Sequence, residues 1–211
     1  TAEGLMRFIT ERARAESALL GEARGSFPLF EESRLKKWGA MRNSTTTTVA
    51  PTGTISIIAG TSSGIEPLFA LAFVRNVLEG AHLLEVSPLF EQTAQKRGIY
   101  TTDLKAELAR KGSVQDIAGV PPDLKDLFAT ALDIPAEQHV RIQAAFQKYT
   151  DNAVSKTVNL PAEATVSDVL KVYNLAYDLG CKGVTVFRYG SRSQVLYLGN
   201  GETMPGCKYC G

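Results

Sequence analysis

Two short runs carry residue types suited to chemistry. Pro51-Thr52-Gly53-Thr54-Ile55-Ser56 places a glycine and three hydroxyl side chains between a β-branched run, Thr45 to Ala50, and an uncharged apolar stretch. A glycine at a strand-to-helix corner lets an anion approach the backbone, where the first amides of the helix point outward and the hydroxyls of Thr52, Thr54 and Ser56 can donate. No lysine follows, so the loop is not of the Walker type, which requires Gly-Lys-Ser/Thr. The same residues also suit a tight turn whose hydroxyls only cap the next helix. The second run, Cys207-Lys208-Tyr209-Cys210-Gly211, has the spacing of half a zinc knuckle. Cys181 is the one further cysteine, which leaves a tetrahedral cysteine site short of a ligand within these 211 residues. Cys181 itself reads as a small buried apolar residue. His82 and His139 stand apart with no ligand pattern around them and read as packing or surface residues.

The elements that must position these residues follow from periodicity and capping. Leu5, Phe8, Ile9, Ala13 and Leu20 recur near helical spacing from Ala2 to Arg24, and Gly25, Ser26 and Pro28 end the run. A short helix is expected from Phe30 to Lys37. The uncharged Thr45 to Ala50 run reads as a buried strand, and Phe69 to Val77 as another. Four helices are expected at Pro88 to Arg97, Thr102 to Lys111, Pro121 to Leu132 and Pro135 to Tyr149, three of them opened by a proline at the first helical position. Ala153 to Pro161 reads as a strand, followed by a helix with Thr165 or Ser167 as N-cap and Gly180 at its close, and then by the strand Cys181 to Gly190. Strand, helix and strand with short links predict a βαβ unit with parallel strands. The charged residues between Lys96 and Lys125 read as solvated helix faces.

Lys plus Arg number 23 and Asp plus Glu 22, so the chain lacks the positive field of a nucleic-acid binder, and nucleic acid is not an expected partner. No apolar run approaches the ~20 residues of a membrane span, and charges interrupt the first residues throughout, unlike a signal peptide. A cytoplasmic protein without membrane association is expected. The chain begins with threonine rather than methionine, and either end is expected to be an edge within a longer protein.

Longer stretches carry a family resemblance. "RNSTTTTVAPTGTISIIAGTSSGIEPLFA", "IPAEQHVRIQAAFQKYTDNAVSKTVNLP" and "LGCKGVTVFRYGSR" resemble, in that order, the large subunit of ribonucleotide reductases, specifically of the adenosylcobalamin (vitamin B12)-dependent class. The resemblance covers most of residues 26 to 192. It implies an α/β fold, the C-terminal half of a ten-stranded α/β barrel, occupying residues 1–198 with a possible helical rim at 88–150, and a flexible cysteine-bearing tail at 199–211. Trp38 is expected to pack where the first helices meet that barrel. The implied reaction makes deoxyribonucleotides from ribonucleotides by thiyl-radical chemistry. Pro51, Thr52, Gly53, Thr54, Ile55 and Ser56 match the loop that receives the substrate's diphosphate or triphosphate. Gly64-Ile65-Glu66-Pro67 matches the following segment, in which Glu66 fits a structural or a substrate-facing place equally.

In that family a finger loop bears Asn-x-Cys-x-Glu, whose cysteine carries the radical, and no cysteine here lies two residues before a glutamate. The resemblance therefore implies that the radical cysteine and the adenosylcobalamin site are completed by an N-terminal reductase portion. It also implies that Cys207 and Cys210 form a tail redox pair, recharged by a thioredoxin-like reductant, that reduces the active-site disulfide. Reductases with a separate radical-generating subunit carry adjacent tyrosines where this chain has Val184 to Phe187, which favours the cobalamin-dependent class. Tyr189 and Tyr197 read as packing or surface residues. Two other classes of function stay open on the residues alone: a non-catalytic nucleotide-binding or regulatory module, and a zinc-binding interaction module built on the tail cysteines.

Overall fold

Helix α1 runs over Ala2–Arg24, the limits expected, but the face it buries is Met6, Thr10, Ser17 and Gly21, while Leu5, Phe8 and Ile9, whose spacing pointed to the helix, are exposed. The four buried residues lie on one face, and two of them are polar because each has a bonding task. Thr10 Oγ1 donates to the Tyr149 carbonyl at 2.6 Å, and Ser17 Oγ donates to Asn43 Oδ1 and accepts the Asn43 amide, both at 3.0 Å. Gly21 is where residues 41 and 42 cross the helix: a Cβ there would stand 2.7 Å from Met41 N and 2.9 Å from Arg42 N. The computed structural model describes residues 1–76 and 82–191. After α1 come a single 3₁₀ helix, Arg34–Trp38, then α2 (Gly53–Ala59), β1 (Ala72–Asn76), β2 (His82–Val86), α3 (Pro88–Lys96), α4 (Thr102–Lys111), α5 (Pro122–Leu127), α6 (Ala136–Gln147), β3 (Thr157–Leu160), α7 (Val166–Asp178) and β4 (Thr185–Arg188).

The chain divides into two compact units. The first gathers Thr1–Ile65, Ala136–Val158 and Thr165–Val186, and in it α6 packs against both α1 and α7. Helix α6 turns an unusual face inward. His139, Val140, Gln143 and Gln147 are buried, and both glutamines spend their amides on loop carbonyls. Gln143 Nε2 donates to the carbonyls of Val154 and Gly183 at 3.0 and 2.7 Å. One turn later, Gln147 Nε2 donates to those of Thr150 and Asn152. Buried amides without such partners would be costly, so each pair of bonds fixes where the two loops run. His139 Nδ1 lies 2.8 Å from Lys156 Nζ, which makes it a packing histidine.

The threonine run forms one isolated parallel bridge, Val49 to Val154, rather than the buried strand its composition suggests. Its hydroxyls do as much pairing as its backbone. Thr46 N and Oγ1 both donate to Asp151 Oδ2 at 2.8 Å, Asp151 N donates to Thr47 Oγ1 at 3.0 Å, and Thr48 Oγ1 donates to the Ala153 carbonyl at 3.1 Å. The Thr47 carbonyl accepts the Asn152 amide, and the Val49 carbonyl accepts the Ser155 amide. Arg14 Nη2 on α1 meets the other Asp151 oxygen at 2.5 Å.

The second unit is built around Glu66–Pro135. β1 and β2 pair antiparallel with Ala72 opposite Val86. Leu71, Phe90, Leu108, Val114, Ile117 and Leu124 meet in its core, and the rings of Phe90 and Phe128 contact edge to face at 5.2 Å. Helix α5 stops at Leu127, five residues short of its expected end. The Ala131 amide is drawn to the Leu68 carbonyl at 2.8 Å, and Thr130 N and Oγ1 both turn to Asp133 Oδ2. Glu66–Pro135 thus packs a core of its own, while Ala136–Val158 belongs to the first unit. Helix α7 begins at Thr165 with a capping box shared with Asp168 and joins β3 to β4, which hydrogen-bond as neighbours. Trp38, expected to be packed, is 45% exposed. The 3₁₀ helix that ends with it buries no residue at all.

Two outcomes follow from this packing. Gly21→Ala should lower the urea midpoint, because the crowding against residues 41 and 42, about 1–3 kcal/mol, exceeds the gain in helix propensity of about 1 kcal/mol. A midpoint that rises would show that the crossing is looser than 2.7 Å implies. The second concerns pH. Burial pushes the Asp151 carboxyl upward, but the bonds from Arg14 and from the Thr46 amide and hydroxyl, together with the Arg14 charge, outweigh it and hold the group below its ordinary 3.8. A depressed folded-state pKa gives stability that is present above that ordinary value and lost as pH falls through the folded one. Asp151→Asn should flatten the acid limb of a stability profile recorded from about pH 5 to about pH 2.

Candidate functional site

The corner at residues 51 to 56 opens where the threonine ladder ends. Pro51 is exposed, and its ring fixes one backbone angle immediately before the turn. Thr52 then takes φ 52° and ψ 25°, the one non-glycine residue at positive φ among the described residues. Its hydroxyl explains part of the toleration: Thr52 Oγ1 accepts the Gly64 amide at 2.9 Å, so the side chain ties the corner to the far end of the loop. Gly64 sits at φ 49° with its Cα close to the Ala50 carbonyl, and a Cβ there would lie 2.9 Å from that oxygen.

Helix α2 starts directly after Thr52 with no side-chain cap on its amides. The first intrahelical donor is Ser56 N, which bonds to the Thr52 carbonyl at 2.9 Å, so the amides of Gly53, Thr54 and Ile55 precede the ladder and face the helix mouth. Nothing lies within 4 Å of a Cβ built on Gly53. An αL residue followed by a helical one turns successive amides toward one point, a concavity suited to an anion. Thr54 and Ile55 are exposed, and Ile55 turns its side chain outward.

Ser56 does not share this exposure. It is buried, its Oγ donates to the Gly53 carbonyl at 2.8 Å, and the same oxygen lies 2.8 Å from Ser63 Oγ. The hydroxyl expected to face a ligand is an internal clasp that holds the helix start to residue 63. The site residues among Pro51 to Ser56 are thus brought together at one open mouth, with five facing outward or half-buried and Ser56 beneath them. Glu66, after the loop, is half-buried.

The remaining candidates lie elsewhere. Cys207, Cys210 and Tyr197 fall outside the described residues, as does the side chain of His82. Cys181 is half-buried rather than fully buried, and burial pushes its thiol pKa up, away from a reactive thiolate. Tyr189 stacks on Phe69 with ring centroids 6.2 Å apart, which is a packing role. Among the described residues, no group of three or more His, Cys, Asp or Glu could hold a metal ion, and no helix is long and apolar enough to cross a membrane. Sequence reasoning missed Arg14, Ser63 and Asp151. Nothing local marks them, since Arg14 and Asp151 are 137 residues apart.

Comparison with known proteins agrees with the resemblance. Residues 34–187 match the family model for the ribonucleotide reductase barrel domain. The chain is 49% identical over 203 residues to a vitamin B12-dependent ribonucleoside-diphosphate reductase of Thermoplasma acidophilum, covering 95% of this chain and 26% of that protein. It is 50% identical over 196 residues to the protein of the same description from Mycobacterium tuberculosis, covering 92% of this chain and 28% of that one. The chain therefore spans about a quarter of the length of these relatives. Among solved structures, the Actinobacillus ureae class Id ribonucleotide reductase alpha subunit superposes with a TM-score of 0.73 at 22% identity, over 90% of this chain and 34% of that one, which is a likeness of fold. Half or more of the chain fits one family model, and two relatives share about half of its residues: the chain belongs to the ribonucleotide reductase family and carries barrel-domain sequence of that family.

Proposed function

We propose that this chain is the C-terminal part of a cobalamin-dependent ribonucleotide reductase and that residues Pro51 to Ser56 receive the phosphates of the ribonucleotide. The single observation that carries the phosphate assignment is the uncapped mouth of α2, where Gly53 leaves open space in front of three outward amides. Phosphate oxygens would be held by the amides of Gly53, Thr54 and Ile55, with the Thr54 hydroxyl as a side-chain donor and no lysine taking part. Ser56 would act from beneath, by keeping the Gly53 carbonyl turned inward and its amide turned out. Holding the diphosphate in this way fixes the far end of the substrate and leaves the ribose to be placed by other parts of the reductase.

Adenosylcobalamin would supply the radical that starts the reaction. The one histidine side chain among the described residues, His139, is 1% exposed and sits against Lys156, so it does not fit a role in holding the cofactor, and no step at the cofactor is assigned to this chain. The cofactor and the radical cysteine belong, in this reading, to an N-terminal reductase portion. Cys207 and Cys210 would serve as the tail redox pair. One thiolate attacks the active-site disulfide, the second resolves the mixed disulfide, and the tail leaves oxidised for a thioredoxin-like reductant to reduce. In this reading residues 1–198 contribute to the family's α/β barrel, for which the pairing of β3 with β4 around α7 speaks, residues 199–211 form the tail, and the enzyme is cytoplasmic.

Titration of this 211-residue chain with a nucleoside diphosphate tests the phosphate assignment. The unmodified chain should bind, and Gly53→Val, which fills the mouth, should weaken binding about tenfold or more, ~1.4 kcal/mol. Equal affinity of the two proteins would remove the corner from the substrate site.

A further inference from the structure

We propose that Asp151 is a positioning residue for the anion corner, setting the direction of the Gly53 and Thr54 amides through the threonine run; the inference rests on the phosphate reading of that corner. Asp151 is a hub of unusual reach. Its carboxylate takes Arg14 from α1 on one oxygen and both donors of Thr46 on the other. Its amide donates to Thr47 Oγ1, and its carbonyl accepts Lys182 Nζ from the loop after α7. The Asp151 side chain is 15% exposed, so water competes for these bonds less than it would at an open surface.

The register set at Thr46 is carried along the run. Thr48 Oγ1 and Val49 N both bond to the Ala153 carbonyl, and Ser155 N closes on the Val49 carbonyl at 2.8 Å. Only Ala50 separates this fixed register from Pro51, whose ring passes the setting on with one angle locked. Thr52 follows at positive φ, a conformation that an L residue keeps only when its surroundings impose it. Two restraints are at hand: the Gly64 amide on the far side and the Asp151 ladder on the near side. With the near restraint loosened, Thr52 can relax toward negative φ, and that rotation carries the Gly53 and Thr54 amides away from their common point. The assignment therefore makes a charge on the far side of the threonine run part of the phosphate geometry, without contact to the ligand.

The test uses the 211-residue chain, with pyrophosphate as the probe. Amide NMR signals of Gly53 and Thr54 would be recorded without ligand in the unmodified chain and in Asp151→Asn, Asp151→Glu and the milder Thr46→Val, followed by calorimetric titration of each. Asp151→Asn should move both amide signals and weaken pyrophosphate about tenfold at full stoichiometry, with Thr46→Val shifting in the same direction by less and Asp151→Glu recovering part of the loss. Unmoved amide signals in Asp151→Asn, or a lower stoichiometry at unchanged affinity, would reduce Asp151 to a stabilising residue and overturn the proposal. Failure of the unmodified chain to bind pyrophosphate would strike the phosphate reading instead, and the amide signals would still decide the coupling. Should Asp151→Asn fail to fold, Thr46→Val decides by the same two readouts.

Discussion

The pairing of the threonine run with residues 151 to 155 is the constraint from which the first unit is organised. A carboxylate drawn half out of water needs a partner on each oxygen, and Asp151 meets that demand with a guanidinium on one oxygen and an amide and a hydroxyl on the other. The partners come from α1 and from the run that leads to the corner, so satisfying one charge fixes the relation of two distant segments. The hydroxyls then extend the pairing where backbone bonds alone would leave a single bridge.

Helix α6 supplies the complementary constraint. An apolar face would have packed against the loops without specifying their path, whereas Gln143 and Gln147 hold four carbonyls at set distances. Two of these carbonyls, of Asn152 and Val154, belong to the segment that pairs with the threonine run. The corner is thus supported through two layers of hydrogen bonds, while its own amides stay available at the helix mouth. The Thr52 to Gly64 bond and the Ser56 to Ser63 contact finish the support from the loop itself. The second unit relies on a different principle, with an apolar core around Phe90 and Leu108 and hydrogen bonds mainly at its turns.

Much of this was written locally. The spacing of Leu5, Phe8 and Ile9 with Gly25 beyond gave α1 its limits, Thr165 was one of the two N-caps expected for α7, and proline opened α3, because periodicity and capping act within one or two turns. The corner at residues 51 to 56 was legible as a corner for the same reason: a glycine and hydroxyls before an apolar helix are a local pattern, and a helix does start there, without a side-chain cap. Less was legible at β2, whose Leu83 and Leu84 lack alternation, and at the end of α5, where bonds to Leu68 and Asp133 override helix propensity.

By itself, the sequence determined the family, most helices and the position of the corner. Only the tertiary structure decided what the threonines do, which hydroxyl turns inward and which carboxylate governs the run. The partners of Thr46, Thr47, Thr48 and Arg14 lie 104 to 137 residues away along the chain, Ser56 turns in on Gly53 and Ser63 close by, and neither residue type nor spacing announces which donor a folded carboxylate will meet. Composition can require that Asp151 be paired if it is buried, but burial and pairing arise together, when the chain has folded.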